Sequence, residues 1–146
     1  MYRFSSLTPK ANEALNAAIR IAGEMGHTYV GSEHLLLGIL KDEQNVCRVV
    51  FPEKKISYER LEELVRGAVG NGCPCTLTPN DFTPRLRRIL EMAAVYSKVC
   101  VQPFVGTDHI LMAIIKEPEC YALRFLNLMN VDPDPLYRSL TAAASA

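Results

Sequence analysis

The sequence lacks an excess of charge of either sign, because 16 basic side chains balance 16 acidic ones among its 146 residues. A net charge of zero produces no overall field that would draw nucleic acid or an anionic membrane surface towards the protein. The densest basic cluster is Arg85, Arg87 and Arg88. We interpret it as a solvated helix face, since charge runs usually face water and no aromatic residues alternate with these arginines.

Motifs of the large enzyme classes are also missing. The chain has no G-x-x-x-x-G-K-[ST] loop to cradle nucleotide phosphates, which excludes a P-loop ATPase within these residues. It has no H-E-x-x-H, no G-x-S-x-G and no dinucleotide-binding fingerprint. No apolar run approaches the roughly 20 residues of a membrane helix, and no signal-peptide core follows the N-terminus. We therefore expect a cytoplasmic protein without membrane contact.

The five cysteines do not form a metal-binding pattern. Cys47, Cys100 and Cys120 lie in helical patterns, where a reduced thiol packs as a small apolar side chain. Cys73 and Cys75 flank a proline in a loop, with no second cysteine or histidine pair nearby. We predict incidental thiols there rather than a zinc site, and no cofactor.

The sequence does contain one unit written twice, with an offset of 75 residues. Val30 to Ile39 reads VGSEHLLLGI, and Val105 to Ile114 reads VGTDHILMAI. The same offset relates Thr8-Pro9 to Thr83-Pro84 without a gap. Because a fixed internal period identifies a duplicated structure, we predict repeat one at 4–70, a linker at 71–81 and repeat two at 82–142.

Each copy carries two signals for the start of a helix. Thr8-Pro9 and Thr83-Pro84 place a hydroxyl at the N-cap and a proline at the first helical position, where a missing N–H costs nothing. The other two starts are Ser32-Glu33 and Thr107-Asp108. There we predict the hydroxyl residue as the N-cap and the acid at the first helical position, against the positive end of the helix dipole.

Helical spacing of apolar residues extends these starts into an all-α architecture. In repeat one we predict helices at 9–24, from 33 to about 41, at about 46–51 and at 58–69. In repeat two we predict helices at 84–98, 108–116 and 119–129, and a last one from Pro133 or Pro135 to about 142. The only strand-like alternation is the short Val99-Cys100-Val101 run. The chain is therefore predicted to be two tandem four-helix repeats.

Two acid–histidine pairs, Glu33-His34 and Asp108-His109, invite an acid–base interpretation. Adjacent helical residues point about 100° apart, however, so they do not readily share a proton. We interpret both histidines as packing or hydrogen-bonding within the first helical turn. The alternative is an enzyme in which one of these histidines acts as a base near Cys47 or Cys120.

The Thr-Pro starts and the tract GHTYVGSEHLLLGIL, from Gly26 to Leu40, resemble the Clp N-terminal repeat of ClpC/ClpA-type AAA+ unfoldases. The resemblance runs from about Phe4 to Leu140, so residues 1–146 are interpreted as one such domain. It implies two four-helix repeats in a pseudo-twofold arrangement. It also implies a non-catalytic domain that binds client and adaptor proteins and works with Clp ATPase modules and a ClpP-type peptidase. Either the chain is part of such an unfoldase, or it is a stand-alone protein that serves as an adaptor or regulator of a separate one.

The resemblance further implies a ligand. ClpC-type N-domains recognise phosphorylated arginine at one pocket per repeat, and the matching residues are Thr8 with Glu33 and Thr83 with Asp108. A threonine at a helix N-terminus offers hydrogen-bond donors to a phosphate, and a carboxylate accepts hydrogen bonds from a guanidinium group.

Repeat two departs from this pattern at two places. Asp108 is one methylene shorter than the glutamate of the pattern, and Val99 to Phe104 replace the turn at Gly26-His27. The alternative role for Glu33 and Asp108 is stabilisation of the helix dipole alone, worth about 0.3–1 kcal/mol each.

Overall fold

The computed structural model describes residues 2–47, 56–118 and 120–145, and these ranges contain helices and no strand. Repeat one contributes α1 (Pro9–Glu24), α2 (Ser32–Leu40) and α3 (Tyr58–Val69). Repeat two contributes α4 (Pro84–Val99), α5 (Thr107–Lys116), α6 (Tyr121–Leu128) and α7 (Pro133–Ser145). A 3-10 turn, Pro79–Asp81, precedes α4. The all-α prediction is confirmed, while the helix predicted at 46–51 lies mostly outside the described residues.

Hydroxyl side chains cap three of the helices, and the sequence predicts the caps at Thr8 and Thr83. Each accepts a hydrogen bond from the N–H three residues further on: Thr8 from Ala11 at 3.2 Å, Thr83 from Leu86 at 3.0 Å and Ser57 from Arg60 at 3.1 Å. Such a bond satisfies one of the unpaired N–H groups of the first turn and is typically worth about 1 kcal/mol.

The N-caps predicted for α2 and α5 are wrong. Glycines occupy both cap positions, so the residues that follow lie one place further into the helix: Ser32 and Thr107 are first, and Glu33 and Asp108 are second. The hydroxyl of Ser32 instead accepts the N–H of Ala122 at 3.1 Å, at the start of α6. It therefore caps a helix of the other repeat, which a local sequence pattern does not reveal.

The two repeats exchange equivalent backbone hydrogen bonds. Thr8 N donates to Val105 O at 2.9 Å, and Thr83 N donates to Val30 O at 3.0 Å. In the other direction, Val105 N donates to Ser6 O at 2.8 Å and Val30 N donates to Asp81 O at 2.9 Å. Each bond maps onto its counterpart when the repeats are exchanged, which is the mark of an isologous contact around a twofold axis. The pseudo-twofold arrangement is confirmed.

One hydrophobic core runs through both repeats, with α2 and α5 inside it. All nine residues of α2 are buried, and α5 is buried from His109 to Ile115. Gly38 lets α2 approach α1 closely, since a Cβ there would lie 2.2 Å from the carbonyl oxygen of Ala14. The first turns of α2 and α5, with their acids, are thereby fixed at the junction of the repeats.

The basic cluster at the start of α4 is exposed, as predicted. Arg88 Nη1 lies 3.0 Å from Glu117 Oε1, and Arg85 Nε lies 3.8 Å from the same oxygen. Glu117 is buried, so these guanidinium groups compensate a carboxylate that would otherwise be costly to remove from water. Within the described ranges, no helix is long and apolar enough to cross a bilayer.

Candidate functional site

A cavity of about 300 Å³ lies where α1 of repeat one meets the start of α5 of repeat two. Its walls include Thr8, Phe104, Asp108 and His109. Thr8 is held there by its backbone bond to Val105, three residues before Asp108. Because Thr8 caps α1 and Asp108 is the second residue of α5, the N-termini of two helices border the cavity.

The cavity brings together one predicted site residue from each repeat. We expected Thr8 with Glu33 and Thr83 with Asp108, but Thr8 shares its cavity with Asp108, and Glu33 is not among the walls. Thr83 correspondingly bonds to Val30, in the turn that leads to Glu33. Because the two repeats exchange equivalent contacts, each threonine lies near the helix start of the other repeat. The sequence offset alone does not show this exchange.

Asp108 presents an accessible carboxylate, with 27% of its side chain exposed. Its Oδ1 accepts the backbone N–H of His109 at 2.9 Å. The Nδ1 of His109 accepts the N–H of Gly106 at 2.9 Å, so the proton of the neutral ring sits on Nε2. That buried Nε2 has no partner among the described residues. The cavity thus combines an accessible acid with a buried imidazole N–H.

Thr8 adds a hydroxyl to the wall of the cavity. Its Oγ1 accepts the N–H of Ala11, and its own proton remains available as a donor. The first turn of α1 places the positive end of a helix dipole beside it. These groups suit a ligand with an anionic end near α1 and a cationic end near Asp108.

The equivalent place in repeat one is closed by its own side chains. Glu33 is 1% exposed, and its Oε2 accepts a hydrogen bond from the hydroxyl of Tyr29 at 3.2 Å. Its Oε1 is buried without a hydrogen-bond partner in the described part of the chain. Burial raises the pKa of the Glu33 carboxyl, against the smaller opposite effects of its backbone hydrogen bond and of Tyr29. Burial, together with the adjacent Glu33, also raises the pKa of Tyr29.

The duplicated geometry corresponds to a known family. The family model described as the Clp repeat (R) N-terminal domain matches residues 6–129 and 81–145. The chain belongs to this family. Over 129 residues, 88% of its length, it is 33% identical to the ATP-dependent Clp protease ATP-binding subunit ClpA homolog of Trieres chinensis. Over 126 residues, 86% of its length, it is 33% identical to ClpC of Staphylococcus saprophyticus. The chain spans about 15% of the length of each relative.

Solved Clp N-domains share the fold. The N-terminal domain of ClpD from Arabidopsis thaliana matches with a TM-score of 0.75 at 19% identity, over 97% of this chain and 99% of that one. The N-domain of ClpV in complex with a VipB peptide matches with a TM-score of 0.70 at 18% identity, over 97% of this chain and 90% of that one. At these identities the comparison establishes the architecture alone.

In this Clp N-domain, two buried histidines tie the start of α2 to the end of α3. Gly31 N donates to His34 Nδ1 at 2.9 Å, His34 Nε2 lies 2.7 Å from His27 Nδ1, and His27 Nε2 lies 2.8 Å from the carbonyl oxygen of Gly70. Since His34 Nδ1 accepts, all three bonds are satisfied when each Nε2–H donates onwards. Burial and the neighbouring His27 lower the pKa of His34 to about 3, so this ring is neutral near pH 7. The prediction that His34 and His109 hydrogen-bond within the first turn is confirmed.

The geometry opposes the cysteine–histidine enzyme. Cys47 and Cys120 are both buried, and the thiol of Cys120 donates to Ile114 O at 3.4 Å. Burial raises the pKa of Cys47 to about 12 and also raises that of Cys120, which disfavours the thiolate needed for attack. In the described part of the chain, no three histidine, cysteine or acidic side chains come together as a metal-ligand set.

Two aromatic residues belong to the site and were missed at the sequence level. Tyr29 covers Glu33, whereas its counterpart Phe104 is exposed and lines the open cavity. The repeat offset places them at equivalent positions, so aligning the two copies could have drawn attention to them. Their different conformations depend on the hydroxyl and on tertiary packing, which an alignment does not provide.

Proposed function

We propose that this Clp N-domain recognises client and adaptor proteins for a Clp-family ATP-dependent unfoldase in the cytoplasm. The chain itself carries out no catalysis. Unfolding and degradation are the work of Clp ATPase modules and a ClpP-type peptidase. In this proposal the domain comprises repeats at 4–70 and 82–142 joined by the linker 71–81. The other arrangement, a stand-alone adaptor or regulator of a separate unfoldase, would use the same binding surface.

The proposed ligand of the open cavity is phosphorylated arginine on a client protein. The observation that carries this proposal is that an accessible carboxylate and a helix-capping hydroxyl face one cavity. The phosphoryl oxygens would accept from the Thr8 hydroxyl and lie at the N-terminus of α1. The guanidino N–H groups would donate to Asp108 in a charge-assisted contact. Similarity to ClpC, and a ClpV N-domain that carries a peptide, support peptide recognition as a use of this fold.

The second site, which the exchanged contacts would form from Thr83 and Glu33, is proposed to be latent. A ligand there would have to displace the Tyr29 hydroxyl from Glu33 and bring a buried carboxylate into contact with solvent. The stacking of Tyr29 on His27, with ring centroids 5.8 Å apart, opposes this movement. We therefore expect one phosphoarginine per chain rather than two.

Calorimetric titration of the whole chain with free phosphoarginine tests the proposal, with unmodified arginine as the ligand control. Asp108→Asn and Thr8→Val should each weaken phosphoarginine binding about tenfold or more, since a hydrogen bond to a charged group is worth about 1.5–3 kcal/mol. Asp134→Asn, at an exposed acid in the first turn of α7, is the matched control and should leave affinity unchanged. Absence of binding to the native protein, or equal affinity after Asp108→Asn, refutes the assignment of the cavity.

A further inference from the structure

The linker between the repeats presents two exposed thiols one residue apart. Cys73 and Cys75 flank a proline, and both are exposed. The other cysteines are less accessible, since Cys47 and Cys120 are buried and Cys100 is half-buried. Thiol oxidation requires an accessible thiolate. Among the five cysteines, this chemistry is therefore directed to the pair in the linker.

The thiol of Cys75 holds the linker against the turn that follows α1. Its Sγ donates a hydrogen bond to the carbonyl oxygen of His27 at 3.3 Å, and its backbone N–H donates to Gly23 O at 2.9 Å. The N–H of Gly72 donates to Met25 O at 2.9 Å. A side-chain sulfur thus supplies one of these three bonds between the linker and the turn.

The linker also packs on this turn backbone against backbone. A Cβ at Gly26 would lie 2.2 Å from the carbonyl carbon of Gly72, and a Cβ at Gly23 would lie 2.4 Å from the carbonyl oxygen of Cys75. Only glycine permits so close an approach of two backbones. Because atoms packed this closely transmit a displacement, a movement of Cys75 also affects the bond from Gly72.

Oxidation removes the donor from the contact between Cys75 and His27. A disulfide sulfur carries no hydrogen, so it has nothing to donate to the His27 carbonyl oxygen. The sulfur of Cys75 would also have to turn towards Cys73, since the two sulfurs of a disulfide lie about 2.05 Å apart. The contact at His27 therefore belongs to the reduced linker alone.

We propose that Cys73 and Cys75 form a reversible oxidation site, and that their disulfide detaches the linker from the turn after α1. The oxidant is a small disulfide of the glutathione class. The Cys73 thiolate attacks one sulfur of this oxidant, forms a mixed disulfide and releases one thiolate. The Cys75 thiolate then attacks the Cys73 sulfur and releases the second thiolate. The two cysteine protons pass to the released thiolates, and the two electrons lost by the cysteines reduce the oxidant.

The exposure of the pair suits a reversible role. Exposed disulfides have higher reduction potentials than buried structural ones and are the labile or regulatory class. In the cytosol, disulfides are rare, and those that form are usually transient and often sense the redox state. Oxidation at this site would alter how the two repeats are tethered. The inference goes beyond the proposed recognition of client proteins and does not depend on it.

Intact-mass spectrometry and amide hydrogen exchange measured by NMR test the proposal on the whole chain, with glutathione disulfide as the oxidant. The native chain should lose two hydrogens, and the disulfide should map to Cys73 and Cys75. Exchange of the Gly72 N–H should rise about tenfold or more, because its partner in the turn is lost. Dithiothreitol should restore both readings. Cys100→Ser, at the half-buried cysteine outside the linker, is the matched control and should oxidise like the native chain.

Two substitutions at Cys75 separate the hydrogen bond from the disulfide. Cys75→Ser keeps a donor for the His27 carbonyl oxygen but cannot form the disulfide, so exchange at Gly72 should stay native with and without the oxidant. Cys75→Ala removes the donor, so exchange at Gly72 should exceed that of the reduced native chain under both conditions. A native chain that stays reduced, or that forms disulfides only with glutathione or with a second copy, overturns the oxidation site. A Cys73–Cys75 disulfide with unchanged exchange at Gly72 overturns the release of the linker.

Discussion

Glu33 and Asp108 occupy equivalent positions, yet one is buried under Tyr29 and the other opens into a cavity. The difference arises from two neighbouring side chains rather than from the acids alone. Tyr29 supplies a hydroxyl that bonds to Glu33, whereas Phe104 has none and faces solvent. At the residue scale, the side chain that covers each carboxylate therefore determines whether the carboxylate is accessible.

The burial of Glu33 predicts a pH-dependent stability difference. Its pKa is raised in the folded state above the ordinary value of 4.5, so the stability it contributes is present below that value and is lost as pH rises through the folded-state pKa. Glu33→Gln keeps the side-chain shape but does not ionise. Urea unfolding from pH 4 to 7 should show the variant gaining stability relative to the native chain as pH rises. A difference that stays constant over this range contradicts the account.

His34 gives the opposite dependence at acid pH. Its folded-state pKa of about 3 lies below the ordinary 6.5, so its contribution is present above pH 6.5 and is lost as pH falls towards 3. His34→Gln keeps an acceptor for the Gly31 N–H at the third helical position, as glutamine does in a capping box. The variant should show a flatter loss of unfolding free energy between pH 6.5 and 3. If the unfolding free energy of the variant falls as steeply between pH 6.5 and 3 as that of the native chain, the result contradicts a neutral buried His34 ring.

At the scale of helices, Gly38 of α2 packs directly against the backbone of α1 at Ala14. Gly67, in contrast, lies in α3 with open space around the position of a Cβ. Gly38→Ala should lower the free energy of unfolding by about 1–3 kcal/mol, because the added methyl group meets the backbone of α1. Gly67→Ala is the matched control and should raise it by about 0.4–1 kcal/mol. Chemical denaturation of both variants checks the pair, and a Gly38→Ala protein as stable as the native one contradicts the packing.

Helix positions were predictable because their causes are local. Thr8 and Thr83 cap the helices that the sequence assigned to them, and the apolar spacing of α1 and α2 gave their extents. The role of Ser32 was not predictable, since its hydroxyl caps α6, a helix of the other repeat. Local patterns determine where helices begin, but contacts between the repeats determine which backbone N–H group a capping hydroxyl binds.

At the scale of the whole molecule, duplication creates two related surfaces that have diverged. The exchanged bonds at Val30 and Val105 preserve the twofold arrangement. Around this arrangement, the carboxylate of repeat one is covered by Tyr29, whereas that of repeat two opens into the cavity. The sequence supplied all four candidate site residues, but the placement of Thr8 beside Asp108 of the other repeat required the tertiary structure. We expect the open half to make the first contact with a client.

Double-mutant cycles of phosphoarginine binding test the crossed site most directly. Thr8→Val combined with Asp108→Asn should show a coupling energy of about 0.5–3 kcal/mol, because both residues would hold the same ligand in one cavity. Thr8→Val combined with Glu33→Gln should be additive within about 0.5 kcal/mol, since Glu33 is buried under Tyr29 and does not line that cavity. Calorimetry of the native chain and the five variants supplies both cycles. Coupling between Thr8 and Glu33, with additivity between Thr8 and Asp108, would contradict a binding site shared by the two repeats.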